Sequence, residues 1–442
     1  CMQNDGLSPD GITFISVLKA CGSTGLVDFG KVIHEEILRK GLLAKDVVLG
    51  NALVDMYAKC GVFEKAQQVF CELPRRDIVS WNALIAGYVQ HGRSEDALSF
   101  FGKLQTEGLS ADSVTYICIL KACGNTGFLD KGKEIHNVIL DKGFLGKDVF
   151  LGTALVDMYV KCGSLENAEQ VFDEVVLRDV VLWNALIAGY AQQGQGEEAL
   201  KCFNLMQIEG LPPDAITFGC ILKACGSAGA FDKGKQIHDE ILYKGLLEKD
   251  TMLTTTLVDM YAKCGVMEKA EQVFDEICLH DVASWNSLIA GYALKGQVEE
   301  AVDCFKRMQT KGLSPDAVNF LCVMNACSHS GLVDEGEMCF MLMYRKYGII
   351  PDLDHYTCMV DLFGRAGRFD KAMAIIEKMP LYDYRPTWSA LLNACHQWGN
   401  VRLGRLAFKH AVQIDSGHIP VYVCMSNIYA ACGTRDGIGM IG

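Results

Sequence analysis

The apolar positions of this chain recur at helical spacing. Trp81, Leu84, Ile85 and Tyr88 stand at i, i+3, i+4 and i+7, and Ala97, Phe100, Phe101 and Leu104 repeat that spacing shortly afterwards. Each set forms one apolar stripe on a 3.6-residue helix. Gly92 lies between them, where a left-handed residue closes a helix. Ser94 opens the next helix, with Glu95 and Asp96 favourable in its first turn, and Gly108 ends it. The pattern predicts a hairpin of two short amphipathic helices. Neither helix can bury its stripe alone, so the hairpins must stack on one another.

The hairpin belongs to a faithful internal repeat. "WNALIAGY" begins at Trp81 and Trp183 and "WNSLIAGY" at Trp285, in steps of 102 residues. Cys21, Cys123, Cys225 and Cys327 keep that step, as do Tyr57, Tyr159 and Tyr261, and His34, His136 and His238. Aspartates divide each period into units of 36, 31 and 35 residues: Gly11–Asp46, Val47–Asp77 and Ile78–Asp112. The same order returns twice, ending at Asp316, and Ala317–Asp352 and Leu353–Tyr384 follow. The expected fold is all-α, a right-handed α-solenoid superhelix of helix-turn-helix repeats with a concave inner surface. Gly87, Gly189 and Gly291 fall mid-helix, where glycine costs about 1 kcal/mol against alanine. Their recurrence points to close helix contact.

Composition narrows the picture. Of 442 residues, 50% are hydrophobic and 21% charged, which suits a folded chain rather than a disordered one. Only 9 prolines occur, in keeping with helices. No apolar run approaches the ~20 residues that span a bilayer, so a soluble protein without a membrane partner is expected. Twenty cysteines are too few for a disulfide scaffold in so long a chain, and no C-x-x-C occurs. They read as structural thiols in a reducing compartment, with no metal and no cofactor. The net charge of −13 argues mildly against nucleic acid as a partner, although a local basic stripe can act within an acidic whole.

Among helical repeats, the tetratricopeptide repeat shares Trp81, Leu84 and Tyr88, but it has a fixed length of 34 residues and a glycine where Ile85 stands. The segments "WNALIAGYVQHG", "EDALSFFGKLQTEG", "LKACGSTG", "GKVIHEEI", "NALVDMYAKCG" and "EKAQQVF" instead resemble the pentatricopeptide repeat family. The likeness is to its plant PLS subclass, in which standard, long and short units alternate. It covers nearly the whole chain: residues 1–10 as the end of a truncated repeat, 11–384 as the array, and 385–442 as an extension. "TWSALLNACHQWGNVRLGRLAFKHAVQID" and "YVCMSNIYAACG" resemble its two E-type motifs, which in organellar RNA-editing factors often precede a deaminase-like DYW domain. The chain departs from that continuation at "TRDGIGMIG".

The resemblance implies single-stranded RNA as partner, read one base per unit by the fifth and last residues. Asn51 with Asp77, Asn82 with Asp112, Asn184 with Asp214, and Asn286 with Asp316 then imply uracil, with cytosine second. Thr153 with Asp179 and Thr255 with Asp281 imply guanine. The amide of asparagine, both donor and acceptor, suits a pyrimidine edge. Ile15, Ile117, Gly219 and Leu321 at the fifth position of the long units cannot hydrogen-bond an edge, so those units are weak readers. Thr357 lacks its acid, because Tyr384 stands where aspartate is expected. Val48, Val79, Phe150, Val181 and Met252, at the second position, would wedge between bases; Ala283 would grip less well. The register, 5′ to 3′, is U-U-n-G-U-n-G-U. The competing reading of the aspartates and asparagines is capping and turn chemistry.

Lys59, Lys161 and Lys263 recur near a helix end and are candidate phosphate contacts, or solvated lysines favourable to the helix dipole. Trp81, Trp183 and Trp285 sit on the apolar stripe and are expected in the core. His34 and His238 open H-x-E, but the zinc deaminase signature also needs P-C-x-x-C, and at His136 the pattern breaks. No phosphate loop, nucleophile elbow or H-E-x-x-H occurs. No catalysis and no small-molecule substrate are therefore expected. By resemblance, the chain selects sites in mitochondrial or chloroplast transcripts for C-to-U editing, and its E-type region recruits a deaminase or other editing-complex proteins. Two alternatives stand: a factor that stabilises or processes RNA without editing, and a protein-binding scaffold of tetratricopeptide type.

Overall fold

A computed structural model describes residues 9–43, 46–145, 148–247, 251–276 and 280–431. Asp250, the expected last residue of a long unit, lies outside them, as do the first eight residues and the end of the extension from residue 432. The described residues form 25 α-helices and no strand. The chain divides into two compact units, Cys1–Ala224 and Cys225–Gly442.

The first unit runs α1 (Gly11–Thr24), α2 (Val27–Arg39), α3 (Val47–Lys59), α4 (Phe63–Glu72), α5 (Ile78–Gln90), α6 (Ser94–Thr106), α7 (Ser113–Thr126), α8 (Leu129–Asp141), α9 (Val149–Lys161), α10 (Leu165–Glu174), α11 (Val180–Gln192) and α12 (Gly196–Ile208). Helix α13 (Ala215–Ala228) carries the division. The second unit continues with α14 (Phe231–Tyr243), α15 (Thr251–Lys263), α16 (Met267–Asp275), α17 (Val282–Leu294), α18 (Val298–Thr310), α19 (Ala317–Ser330) and α20 (Val333–Arg345). It closes with α21 (Leu353–Arg365), α22 (Phe369–Ile376), α23 (Arg385–Trp398), α24 (Val401–Ile414) and α25 (Ile419–Ala431).

In the first unit the odd-numbered helices α1 to α11 pack successively on one another, and each even helix packs on its odd partner. In the second, α15 to α25 do the same. The odd row is therefore the inner layer of each unit, where helix follows helix closely.

Local chemistry fixes where these helices begin. Asp10, Asp46, Asp77, Asp112, Asp148, Asp179, Asp281, Asp316 and Asp352 each cap an odd helix, accepting backbone N–H bonds from its first turn. Such caps stabilise a helix by about 1 kcal/mol. Inside each hairpin a glycine supplies the left-handed turn: Gly92 has φ 73°, and Arg93 N–H bonds back to Tyr88 O at 2.9 Å. Helix α23 departs from the rule. Tyr384 precedes it without a side-chain cap bond, and Pro386 in its first turn supplies a fixed φ instead.

Trp81, Trp183, Trp285 and Trp388 are all buried. The first three meet Phe70, Phe172 and Phe274 edge to face, with ring centroids 4.8, 4.5 and 4.7 Å apart. Gly87 and Gly291 explain their own recurrence. A Cβ on either would lie 2.4 or 2.6 Å from the Cβ of Ala58 or Ala262 on the preceding inner helix. Among the described residues no helix is long and apolar enough to cross a membrane.

Candidate functional site

The first turn of each inner helix carries the expected reading residues. Four asparagines meet their aspartates across the width of a repeat unit. The Nδ2 group donates to Oδ1 at 3.0 Å from Asn51 to Asp77, 2.9 Å from Asn82 to Asp112 and 3.0 Å from Asn184 to Asp214. Asn286 reaches Asp316 more loosely, 3.4 Å from Oδ1 and 3.3 Å from Oδ2.

The same aspartate oxygen also caps the next helix. Asp77 Oδ1 accepts Ser80 N–H at 2.9 Å, Asp112 Oδ1 accepts Thr115 N–H at 2.9 Å, and Asp214 Oδ1 accepts Thr217 N–H at 2.8 Å. Capping and pairing thus coexist on one atom, leaving the second oxygen outside these bonds. Burial raises the Asp112 and Asp214 carboxyls, but hydrogen bonds from Thr115 and Asn82, and from Thr217 and Asn184, outweigh it. Both lie below the ordinary carboxylate range.

The asparagines fall into two classes. Thr115 Oγ1 lies 2.7 Å from Asn82 Oδ1 and 2.8 Å from Asp112 Oδ1, with one proton to share. Thr217 stands in the same relation to Asn184 and Asp214, at 2.7 and 2.9 Å. By contrast, Asn51 Oδ1 and Asn286 Oδ1 are buried and accept no hydrogen bond among the described residues. A buried acceptor left unmatched costs about 1–3 kcal/mol, which sets these two apart from Asn82 and Asn184.

The threonines behave differently. Thr153 and Thr255 turn their hydroxyls back to their own helices, donating to Val149 O at 3.0 Å and Thr251 O at 3.2 Å. Neither is hydrogen-bonded to Asp179 or Asp281, which cap Leu182 and Ser284 at 2.9 and 2.8 Å. Thr357 pairs with Thr387 at 2.6 Å, and Tyr384 donates to Asp354 at 3.0 Å.

One turn before each fifth residue, Val48, Val79, Phe150, Val181 and Met252 are exposed. Ile12, Val114, Ile216 and Val318 occupy the same place in the long units and are just as open. These four are not among the second-position residues expected from sequence, and their place two residues after an aspartate is the signal that finds them. Around α7, α9 and α11 the row opens into a cleft of about 570 Å³, lined by Ile117, Phe150, Thr153, Val181, Asn184 and Asp214 among others.

Lys59, Lys161 and Lys263 pair with Asp55, Asp157 and Asp259, one turn earlier, at 2.7, 2.8 and 2.8 Å. Their stems lie against Gly22, Gly124 and Gly226 of the preceding inner helix. Each is therefore part of an ion pair within its own helix, with its stem packed on the neighbouring one. The H-x-E histidines are also structural in setting. Nδ1 of His34, His136 and His238 shares a hydrogen bond with the hydroxyl of Tyr57, Tyr159 and Tyr261 at 3.0, 2.9 and 2.9 Å. Burial lowers all three histidines and pushes Tyr159 and Tyr261 up to about 12. Among the described residues no group of His, Cys, Asp and Glu is arranged to hold a metal ion.

Hairpin units of near-constant length, with a polar pair and an exposed apolar residue at the start of each inner helix, define a helical-repeat protein built around a ladder of side chains. Sequence models of the PPR repeat family match residues 76–125, 178–227 and 280–329, and models of the PPR repeat match segments from 51–78 to 347–380. The chain belongs to the pentatricopeptide repeat family. The mitochondrial pentatricopeptide repeat-containing protein At1g06140 of Arabidopsis thaliana is 38% identical over 98% of this chain and 77% of its own length. The chloroplastic At3g57430 of the same plant is 37% identical over 98% of this chain, which spans 50% of that relative. The crystal structure of PPR10 from maize covers the whole chain with a TM-score of 0.55 at 20% identity, over 74% of its own length. The structure of PPR10 with an 18-nt psaJ RNA element gives 0.60 at 18% identity, over the same share. This likeness establishes the fold as an all-α helical-repeat superhelix.

Proposed function

We propose that this chain is a sequence-specific single-stranded RNA-binding protein. It selects sites in organellar transcripts for C-to-U editing, with the deaminase supplied by another domain or protein. The observation that carries RNA reading is the row of Asn–Asp pairs, each beside an exposed apolar residue. The amide and the second carboxylate oxygen face a base edge, while the apolar residue separates that base from the next. PPR10 binds RNA in its solved complex, and relatives named mitochondrial and chloroplastic support an organellar setting. The editing step rests on the resemblance of residues 385–442 to the E-type extension, which we assign as the docking region for the deaminase.

Titration of U-U-n-G-U-n-G-U RNA against a scrambled oligonucleotide tests the reading, with tighter binding of the ordered sequence expected. Equal affinities refute base selection and favour a protein-binding scaffold. Sequencing organellar transcripts from plants lacking the protein tests the editing step. A cytidine left unconverted just downstream of such a site is the expected result. A transcript lost or misprocessed, with editing intact, would point to stabilisation or processing instead.

A further inference from the structure

The lysines that recur in "MYAKCG" and "MYVKCG" have little free charge to give, because an aspartate one turn away holds each of them. A second row has no such partner. Lys19, Lys121 and Lys223 stand at the ninth position of three successive long units, 102 residues apart. All three are exposed. Among the described residues none of their ammonium groups forms an ion pair with a carboxylate or a side-chain hydrogen bond. They lie on α1, α7 and α13, the first helices of their long units. Lys121 lines the same cleft as Phe150, Val181, Asn184 and Asp214. Gly124, three residues on and so on the same helix face, is where the braced stem of Lys161 lies. The cleft thus holds one neutralised lysine and one uncommitted lysine side by side.

The long units carry Ile15, Ile117 and Gly219 at the fifth position, and these cannot pair with a base edge. The fourth long unit has Leu321 there and Asn325 at its ninth position, so the cationic row ends with the third. In a chain of net charge −13, these three cations, recurring at one position of the first helix of each long unit, are the groups best suited to a polyanion.

We propose that the long units grip the RNA backbone instead of reading it, with Lys19, Lys121 and Lys223 each contacting a phosphate. This assignment rests on the RNA-binding reading above. The work is divided by unit type: short and standard units choose bases, and the first three long units anchor the strand between them. A phosphate contact carries no sequence information but releases counterions on binding, and so appears in the salt dependence of affinity.

The test is the slope of log K against log salt for wild type, a K19Q/K121Q/K223Q variant and a K31Q/K133Q control on the outer helices α2 and α8. The probe is n-U-U-n-G-U-n-G-U RNA, extended by one 5′ nucleotide to reach the Gly11 unit and its Lys19, with single-base replacements. For single strands each lost phosphate contact lowers the slope by about 0.7, so the triple variant should lose about 2, with base preferences kept and the control unchanged. An unchanged slope in the triple variant, while wild type still binds, overturns the assignment and leaves the reading of function intact. Altered base preference in the triple variant overturns it too. If wild-type protein shows no preference for the ordered RNA over the scrambled one, the functional reading itself fails. Thermal unfolding of each variant separates lost contacts from lost fold.

Discussion

The Thr115 hydroxyl lies 2.7 Å from Asn82 Oδ1, although Thr115 belongs to the unit after the one Asn82 would read for. Thr217 holds Asn184 in the same way. The third residue of one unit thus sets the orientation of the amide in the unit before it.

Replacing Thr115 by valine should act on both levels. The Asn82 oxygen loses its donor and the Asp112 backbone N–H loses the hydroxyl acceptor. Stability should fall by about 1 kcal/mol, measurable by denaturant unfolding. Base preference at the Ile78 unit should loosen while the Val47 unit, whose Asn51 has no such donor, keeps its own. Competition binding with single-base replacements checks this.

At the Val149 unit, Thr153→Asn should move preference from guanine towards uracil by ~1–3 kcal/mol, on the scale of base discrimination in DNA contacts. Thr153 now bonds its own helix and leaves Asp179 to the cap. An asparagine there can reach Asp179 as Asn184 reaches Asp214. Unchanged preference would remove the base assignment from this unit.

Acid should unfold the chain in two windows. His34, His136 and His238 are held by burial below their ordinary 6.5. The unfolded chain therefore takes up their protons first, and stability should fall as pH drops below 6.5 towards the folded values. Asp112 and Asp214 lie below their ordinary 3.8, so their contribution is present above 3.8 and lost as pH falls further. Melting temperatures between pH 8 and pH 3 should show both declines. His136→Asn should shrink the first and leave the second.

Two glycines of neighbouring helices should respond oppositely to alanine. At Gly87 the new Cβ would lie 2.4 Å from Ala58 Cβ and 3.1 Å from Ala58 backbone atoms. The cost should be about 1–3 kcal/mol. At Gly102 no atom lies within 4 Å of the added Cβ, and helix propensity should make Gly102→Ala stabilising by up to about 1 kcal/mol. Chemical denaturation of the two variants gives the comparison directly.

Much of the architecture is readable from residue order, because most inner helices are specified twice: by an aspartate at the start and by an apolar stripe along the helix. The buried Trp81 and its periodic equivalents follow from that stripe. The pairing of Asn51 with Asp77 is implied by resemblance to known repeats and then seen in geometry. What single-unit reading misses is set by neighbours in space. Whether an asparagine oxygen is engaged depends on a residue 33 positions away, as with Asn82 and Thr115. The neutralisation of Lys161 by Asp157 is local, at i and i+4, and was open to sequence reasoning; only the contrast with Lys121 gives it meaning. The back-bonding of Thr153 is a rotamer choice that no pattern of residue types specifies.

Asp179 caps its helix although Thr153 ignores it, and Asp112 caps its helix while engaged by Asn82. The integrity of the scaffold is thereby insulated from the residue at the fifth position. Under the proposed reading, a lineage of such proteins can change its target one nucleotide at a time, by mutation at the fifth position, with every ancestor along the route still able to fold.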